Sequence, residues 1–189
     1  MERRWDIEWR DGQGHLQPLA FELGRGLRYR VVIRDEQDLE RFLKSLLRPP
    51  HTALLMPDGG LLGNLKIDEN LLLPLSYRGI AHVPTEQRVI ALFERCNLDV
   101  MQTRHLLSRL PHQISPYQRR LVGFVRAMLI QPEMLVYTAI WHGVTEYERQ
   151  QLLNFDAILR DELPTCTGVF VDYDADMAVL LPAQQSYYL

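Results

Sequence analysis

Leu110-Pro111-His112-Gln113-Ile114-Ser115-Pro116-Tyr117-Gln118-Arg119-Arg120-Leu121-Val122-Gly123-Phe124-Val125-Arg126-Ala127-Met128 is followed closely by Gln131-Pro132-Glu133-Met134-Leu135-Val136-Tyr137. These residues spell a loop, an amphipathic helix, a turn marked by Pro132 and a short apolar strand. A helix feeding a buried strand predicts an α/β chain, and the flanking sequence extends the same alternation.

Downstream, Tyr147, Leu152, Leu153, Phe155, Ile158 and Leu159 lie among Glu, Arg and Gln, which predicts a helix over 146–162 that Pro164 ends. Gly168-Val169-Phe170-Val171 is a buried-strand pattern leading into Asp172-Tyr173-Asp174. Asp172 and Asp174 read as part of a surface loop and not as a catalytic pair. Ala178–Leu181 and Ser186–Leu189 read as closing strands.

Upstream, Leu39, Phe42, Leu43, Leu46 and Leu47 form one apolar face, predicting a helix over about 38–48 that Asp35 or Asp38 caps and Pro49-Pro50 ends. Tyr29–Ile33 is a short β-branched strand before it, and Thr52–Met56 a strand after it. Near the start, Trp5, Ile7 and Trp9 alternate with charged residues as in a half-buried strand, and Pro18–Leu23 reads as a second. Residues 71–109 read as helical, with patterns over Glu86–Leu98 and, more weakly, Leu98–Leu110.

Composition sets the bounds. A chain of 189 residues is one domain by length, 1–189, and 47% hydrophobic with 24% charged residues is ordinary for a globular chain. The net charge of −3 gives no polyanion signal, so nucleic acid is not an expected partner. Cys96 and Cys166 lack metal-ligand spacing and read as buried thiols in a reducing compartment. Met1–Asp6 is no apolar leader and no run is long enough to span a bilayer. The expectation is a cytoplasmic protein, peripheral to a membrane only through a partner and without insertion. The six histidines show no H-x-x-x-H spacing and there is no G-x-S-x-G, so no metal site or hydrolase elbow is expected.

Ile114-Ser115-Pro116-Tyr117-Gln118 with the helix through Arg126-Ala127-Met128 resembles the signature helix of ABC-transporter ATPases, worded LSGGQ and RVAIARAL. The order of the other elements resembles the same family. The resemblance implies a P-loop NTPase-like fold: a mostly parallel sheet flanked by helices, a helical subdomain at about 71–120 and a reduced antiparallel β subdomain. Only Arg48–Thr52 separates the first helix from the next strand, where the family places antiparallel strands. Pro57 to Leu75, through Leu61, Leu65, Glu69, Asn70, Pro74 and Leu75, resembles the glutamine-loop region of importers, closest in wording to Mla-type, MCE-associated phospholipid transporters. That wording implies lipid cargo.

Set against the family's nucleotide-site positions, the chain departs at most of them. The glycines of the phosphate loop G-x-x-x-x-G-K-[ST] fall on Ile33 and Asp38, the lysine on Leu39 and the Mg²⁺-binding hydroxyl on Glu40. Pro57 replaces the glutamine that touches Mg²⁺. Ser115 and Gln118 survive, while Pro116 and Tyr117 replace the signature glycines. Thr138 stands for the Mg²⁺-binding aspartate, Ala139 for the catalytic glutamate and Tyr173 for the switch histidine. Asp35, Glu36 and Asp38 would face phosphate, and a like-charge pair at ~4 Å costs about 4 kcal/mol at an effective dielectric of about 20. Micromolar affinity is worth only about 8 kcal/mol, so two such contacts erase it. The expectation is therefore a degenerate, non-catalytic accessory subunit that binds neither ATP nor Mg²⁺ and docks on a transporter permease, a true ABC ATPase, or both. The alternative is an unconventional ATP-binding subunit with residual nucleotide binding.

Overall fold

The computed structural model describes residues 4–5, 8–10, 13–18, 22–49, 51–77, 86–173 and 183–188. In chain order these form β1 (Arg4–Trp5), β2 (Glu8–Arg10), β3 (Leu16–Pro18), β4 (Leu23–Gly24), β5 (Arg28–Val32), α1 (Glu36–Leu46), β6 (Thr52–Leu55), α2 (Ile67–Tyr77) and α3 (Glu86–Arg95). They continue with α4 (Val100–Leu107), a 3-10 turn (Pro111–Gln113), α5 (Pro116–Leu129), β7 (Met134–Thr138), α6 (Glu146–Glu162), β8 (Thr167–Asp172) and β9 (Gln185–Tyr188). The chain divides into two units, one of residues 1–54, 132–139 and 160–189, the other of 55–131 and 140–159.

The first unit is built on a sheet of strand order β6-β7-β8-β5-β9, in which β7/β8, β8/β5 and β5/β9 pair in parallel. Every residue of β7 and β8 is buried, as expected of parallel strands covered on both faces. Leu39, Phe42 and Leu46 of α1 join Val31, Val136 and Val169 in one apolar core. Leu47, counted on the same face from sequence, is the C-cap and 39% exposed. Arg28 is buried at the rim, where its Nη1 donates to the carbonyls of Cys166 at 2.8 Å and Gly26 at 3.2 Å. Both cysteines are free and buried.

The N-terminal strands depart from expectation. The alternation Trp5–Trp9 belongs to two strands with different partners: β1 pairs antiparallel with β4, and β2 with β3. The single strand expected over Pro18–Leu23 is likewise the end of β3 and the start of β4, residues 19–21 lying outside those described. Asp174 and the strand expected over Ala178–Leu181 also lie outside the described residues.

The second unit is helical. α5 buries Leu121, Val122, Phe124, Val125 and Met128, and Phe124 stacks on Phe155 of α6 with centroids 4.3 Å apart. One end of α5 packs backbone-close on the turn at 57–60. A Cβ on Gly59 would lie 2.1 Å from the Arg119 carbonyl oxygen, and one on Gly123 2.8 Å from that of Gly59. Arg126 locks the same turn, donating from Nη1 to Gly60 O and from Nη2 to Gly59 O, both at 2.8 Å. Asn70 ties α2 to the preceding loop by accepting from Leu62 N at 2.8 Å and donating to the carbonyls of Leu62, Leu65 and Lys66.

Candidate functional site

Three of the sequence-marked positions converge at the C-terminal end of the sheet in the first unit, where ligands of open α/β sheets bind. Ile33 N donates to Asp172 O at 2.9 Å, Ala139 N donates to Val171 O at 3.1 Å, and Tyr173 N donates to the Asp172 carboxylate at 2.8 Å. These bonds bring the exits of β5, β7 and β8 side by side. Thr138, at the end of β7, is buried, and Ala139 turns the chain with φ +46°. Asp172 is 1% exposed, so it is a buried strand residue and not the surface-loop residue expected from sequence. Tyr173 is 47% exposed.

Positions 33–40 do not form an eight-residue loop. Residues 33–35 connect β5 to α1, and Glu36–Glu40 are already helical. The cause is local: Asp35 adopts an extended N-cap conformation and its carboxylate accepts from Asp38 N at 3.0 Å. The helix end that could receive a ligand's anion thus receives the chain's own. Asp38 pairs with Arg41 Nη1 at 3.0 Å. Glu40 pairs with Lys44 at 2.7 Å, and that ammonium holds its carboxyl below the usual range. Leu39 is 8% exposed and part of the core. A triphosphate with Mg²⁺ held in the family's manner does not fit these residues. The Asp38 amide is occupied, carboxylates flank the helix start, and the lysine position faces inward.

In the second unit, Ser115 is the N-cap of α5. Its Oγ accepts from Gln118 N at 3.1 Å while Gln118 Oε1 accepts from Ser115 N at 2.9 Å, a reciprocal capping box. The two signature-like residues that survive are therefore engaged with one another. Pro116 opens the helix, and burial pushes the Tyr117 phenol well above its usual range. Pro57 begins the turn that α5 and Arg126 hold.

One residue that sequence reasoning missed is Arg120, 2% exposed on α5, whose Nη2 donates to His142 O while Nε and Nη1 have no hydrogen-bond partner. Burial lowers its pKa, against the attraction of Glu148 and Asp58. The turn it supports leads to α6, where Thr145 N donates to Glu148 Oε2 at 2.8 Å. Among the described residues no group of His, Cys, Asp and Glu could hold a metal ion, and no helix is long and apolar enough to cross a membrane.

No protein-family model matches the chain. Sequence comparison relates it to the sulfate/thiosulfate import ATP-binding protein CysA 1 of Shewanella oneidensis, 33% identical over 107 residues, 54% of this chain and 28% of that protein. The molybdenum import ATP-binding protein ModC of Pseudomonas fluorescens is 28% identical over 145 residues, 74% of this chain and 37% of that protein. The chain spans less than two-fifths of the length of either relative. Among solved structures, the dimeric structure of a bacterial ABC transporter cassette superposes with a TM-score of 0.70 at 14% identity, covering 100% of this chain and 94% of that one. An inward-facing putative metal-chelate type ABC transporter gives 0.69 at 15% identity over 96% of this chain and 77% of that one. The fold is that of the ABC-transporter ATPases, and the sequence relatives are proteins of the same kind. The expectation that the chain stands outside the ATPase enzymes is corrected here, because the relatives it matches are named import ATP-binding proteins.

Proposed function

We infer that the chain is an ATP-binding-cassette subunit of an import-type ABC transporter, docking on a membrane permease and carrying an unconventional nucleotide site. The observation that carries this is the superposition of the whole chain on a dimeric cassette, joined to a sequence match with an import ATP-binding protein over 145 residues. Its place is the cytoplasmic face of the membrane, reached through the permease. The nucleotide affinity follows from what occupies the start of α1. With the Asp38 amide capped by Asp35 and no lysine on the phosphate, binding is residual, with a dissociation constant of about 1 mM or weaker.

A narrower reading, lipid cargo, rests on the wording of residues 61–75. The structure gives two of those residues local roles: Asn70 fastens α2 to its loop, and Glu69 accepts from Lys66 N at 2.7 Å. A small-solute importer fits those same residues equally well.

The test is affinity purification of the full chain from detergent-solubilised native membranes, with calorimetry against Mg·ATP on the purified chain. The expected result is a polytopic permease in the eluate and no saturation at micromolar ATP. An eluate without a permease would overturn the transporter assignment. Low-micromolar ATP binding would overturn the proposed affinity alone.

A further inference from the structure

α4, the 3-10 turn and α5 begin in the same way. In each, a glutamine three residues on accepts from the backbone N–H before the first turn. Gln102 Oε1 accepts from Asp99 N at 3.1 Å, Gln113 Oε1 from Leu110 N at 2.9 Å and Gln118 Oε1 from Ser115 N at 2.9 Å. Glutamate serves as well in that position, but glutamine keeps an NH₂ group with two donors. Because the backbone partner is an N–H, the oxygen must face it, and the position of each NH₂ is fixed. All three glutamines line one cleft of about 380 Å³ within the second unit. Gln151 lines it too, with its Oε1 accepting from Asn97 Nδ2 at 2.9 Å.

Among the described residues the cleft also holds one guanidinium, Arg109. Arg109 lies with Nη2 2.6 Å from His105 Nε2, and among the described residues it pairs with no carboxylate. Among the described residues no Asp or Glu lines the cleft. Its wall therefore offers carboxamide donors from four elements and a guanidinium, and no carboxylate among its described lining residues. A planar carboxylate is satisfied by one guanidinium alone. Donors converging from several directions suit a tetrahedral oxyanion, which accepts on every side. The volume exceeds what the oxyanion fills, and Leu98, Leu106 and Ile114 supply an apolar wall for an organic remainder.

We propose that this cleft binds a small phosphate monoester, with the glutamine NH₂ groups and Arg109 on the phosphate. The inference does not rest on the transporter assignment and uses no residue of the β5–α1 junction.

The test uses the full chain and calorimetry at low salt, with glycerol 3-phosphate, inorganic phosphate and AMP as probes. Gln102→Glu combined with Gln113→Glu retains both caps while replacing donors by carboxylates. The expected result is saturable glycerol 3-phosphate binding that inorganic phosphate competes away, and a loss of about tenfold or more in the double variant at an unchanged melting temperature. AMP binding tighter than glycerol 3-phosphate would identify the organic remainder as a nucleoside, and weaker binding as a smaller group; both keep the site. Arg109→Gln, which leaves both caps in place, should lose affinity similarly and decides the matter if the double variant unfolds. Absence of saturable binding by all three probes below about 10 mM, or parental affinity in the folded variants, would overturn the proposal.

Discussion

Leu39 and Asp35 fix the start of α1. Leu39 stands where the resemblance puts lysine, yet it is a core residue. Leu39→Lys should therefore cost about 3 kcal/mol in urea denaturation and give no gain in ATP affinity, since it trades apolar packing for a buried ammonium. Asp35→Ala should cost about 1 kcal/mol through the lost cap. That Leu39 points inward was legible from the apolar face it shares with Phe42 and Leu46; which of Asp35 and Asp38 caps the helix was not, because that follows from where α1 begins. Cys96 gives a pH prediction. Burial pushes its thiol from 9.0 up to about 12. Between those values the unfolded chain binds fewer protons than the folded one, so stability falls as pH rises from about 9 toward about 12. Tyr117, raised mainly by burial, acts in the same direction. Denaturation midpoints across that range should decline with pH, and Cys96→Ala should flatten the decline.

Among the elements, the contact of α5 with the turn at 57–60 is the tightest. Gly59 has φ +72° and no room for a Cβ beside the Arg119 carbonyl, so Gly59→Ala should destabilise by about 3 kcal/mol or more, read as a fall in melting temperature. Elements with strong periodicity were legible: β7 and α6 occupy 134–138 and 146–162 as expected, and β8 starts one residue before its expected 168. α1 was expected at about 38–48 and runs 36–46, because sequence offers two caps, Asp35 and Asp38, and only the geometry shows which is used. β1 to β4 were poorly legible, since strands of two or three residues are defined by non-local partners and not by their own pattern. The cleft was missed for another reason. Ser115 and Gln118 were absorbed into a resemblance with a ligand-binding motif, which hid the plain Ser-x-x-Gln capping pattern and its repetition at Asp99–Gln102.

For the molecule as a whole, element order carried the fold, and nothing in that order fixes the nucleotide chemistry. The fold is that of transporter cassettes and the sequence relatives are named import ATP-binding proteins, while at the β5–α1 junction the Asp35 carboxylate caps the Asp38 amide. If that assembly forms through the helical unit, exposed Arg95 at the end of α3 is a fair probe of its surface: Arg95→Glu should weaken membrane association without lowering the melting temperature. Arg78, a second candidate on sequence grounds, lies outside the described residues. The most direct measurement is the fraction of the chain retained on salt-washed native membranes, with the permease gene present and deleted. Retention that disappears with the permease is the predicted result; a chain that is absent from the membranes in both cases, or retained equally in both, contradicts the assignment.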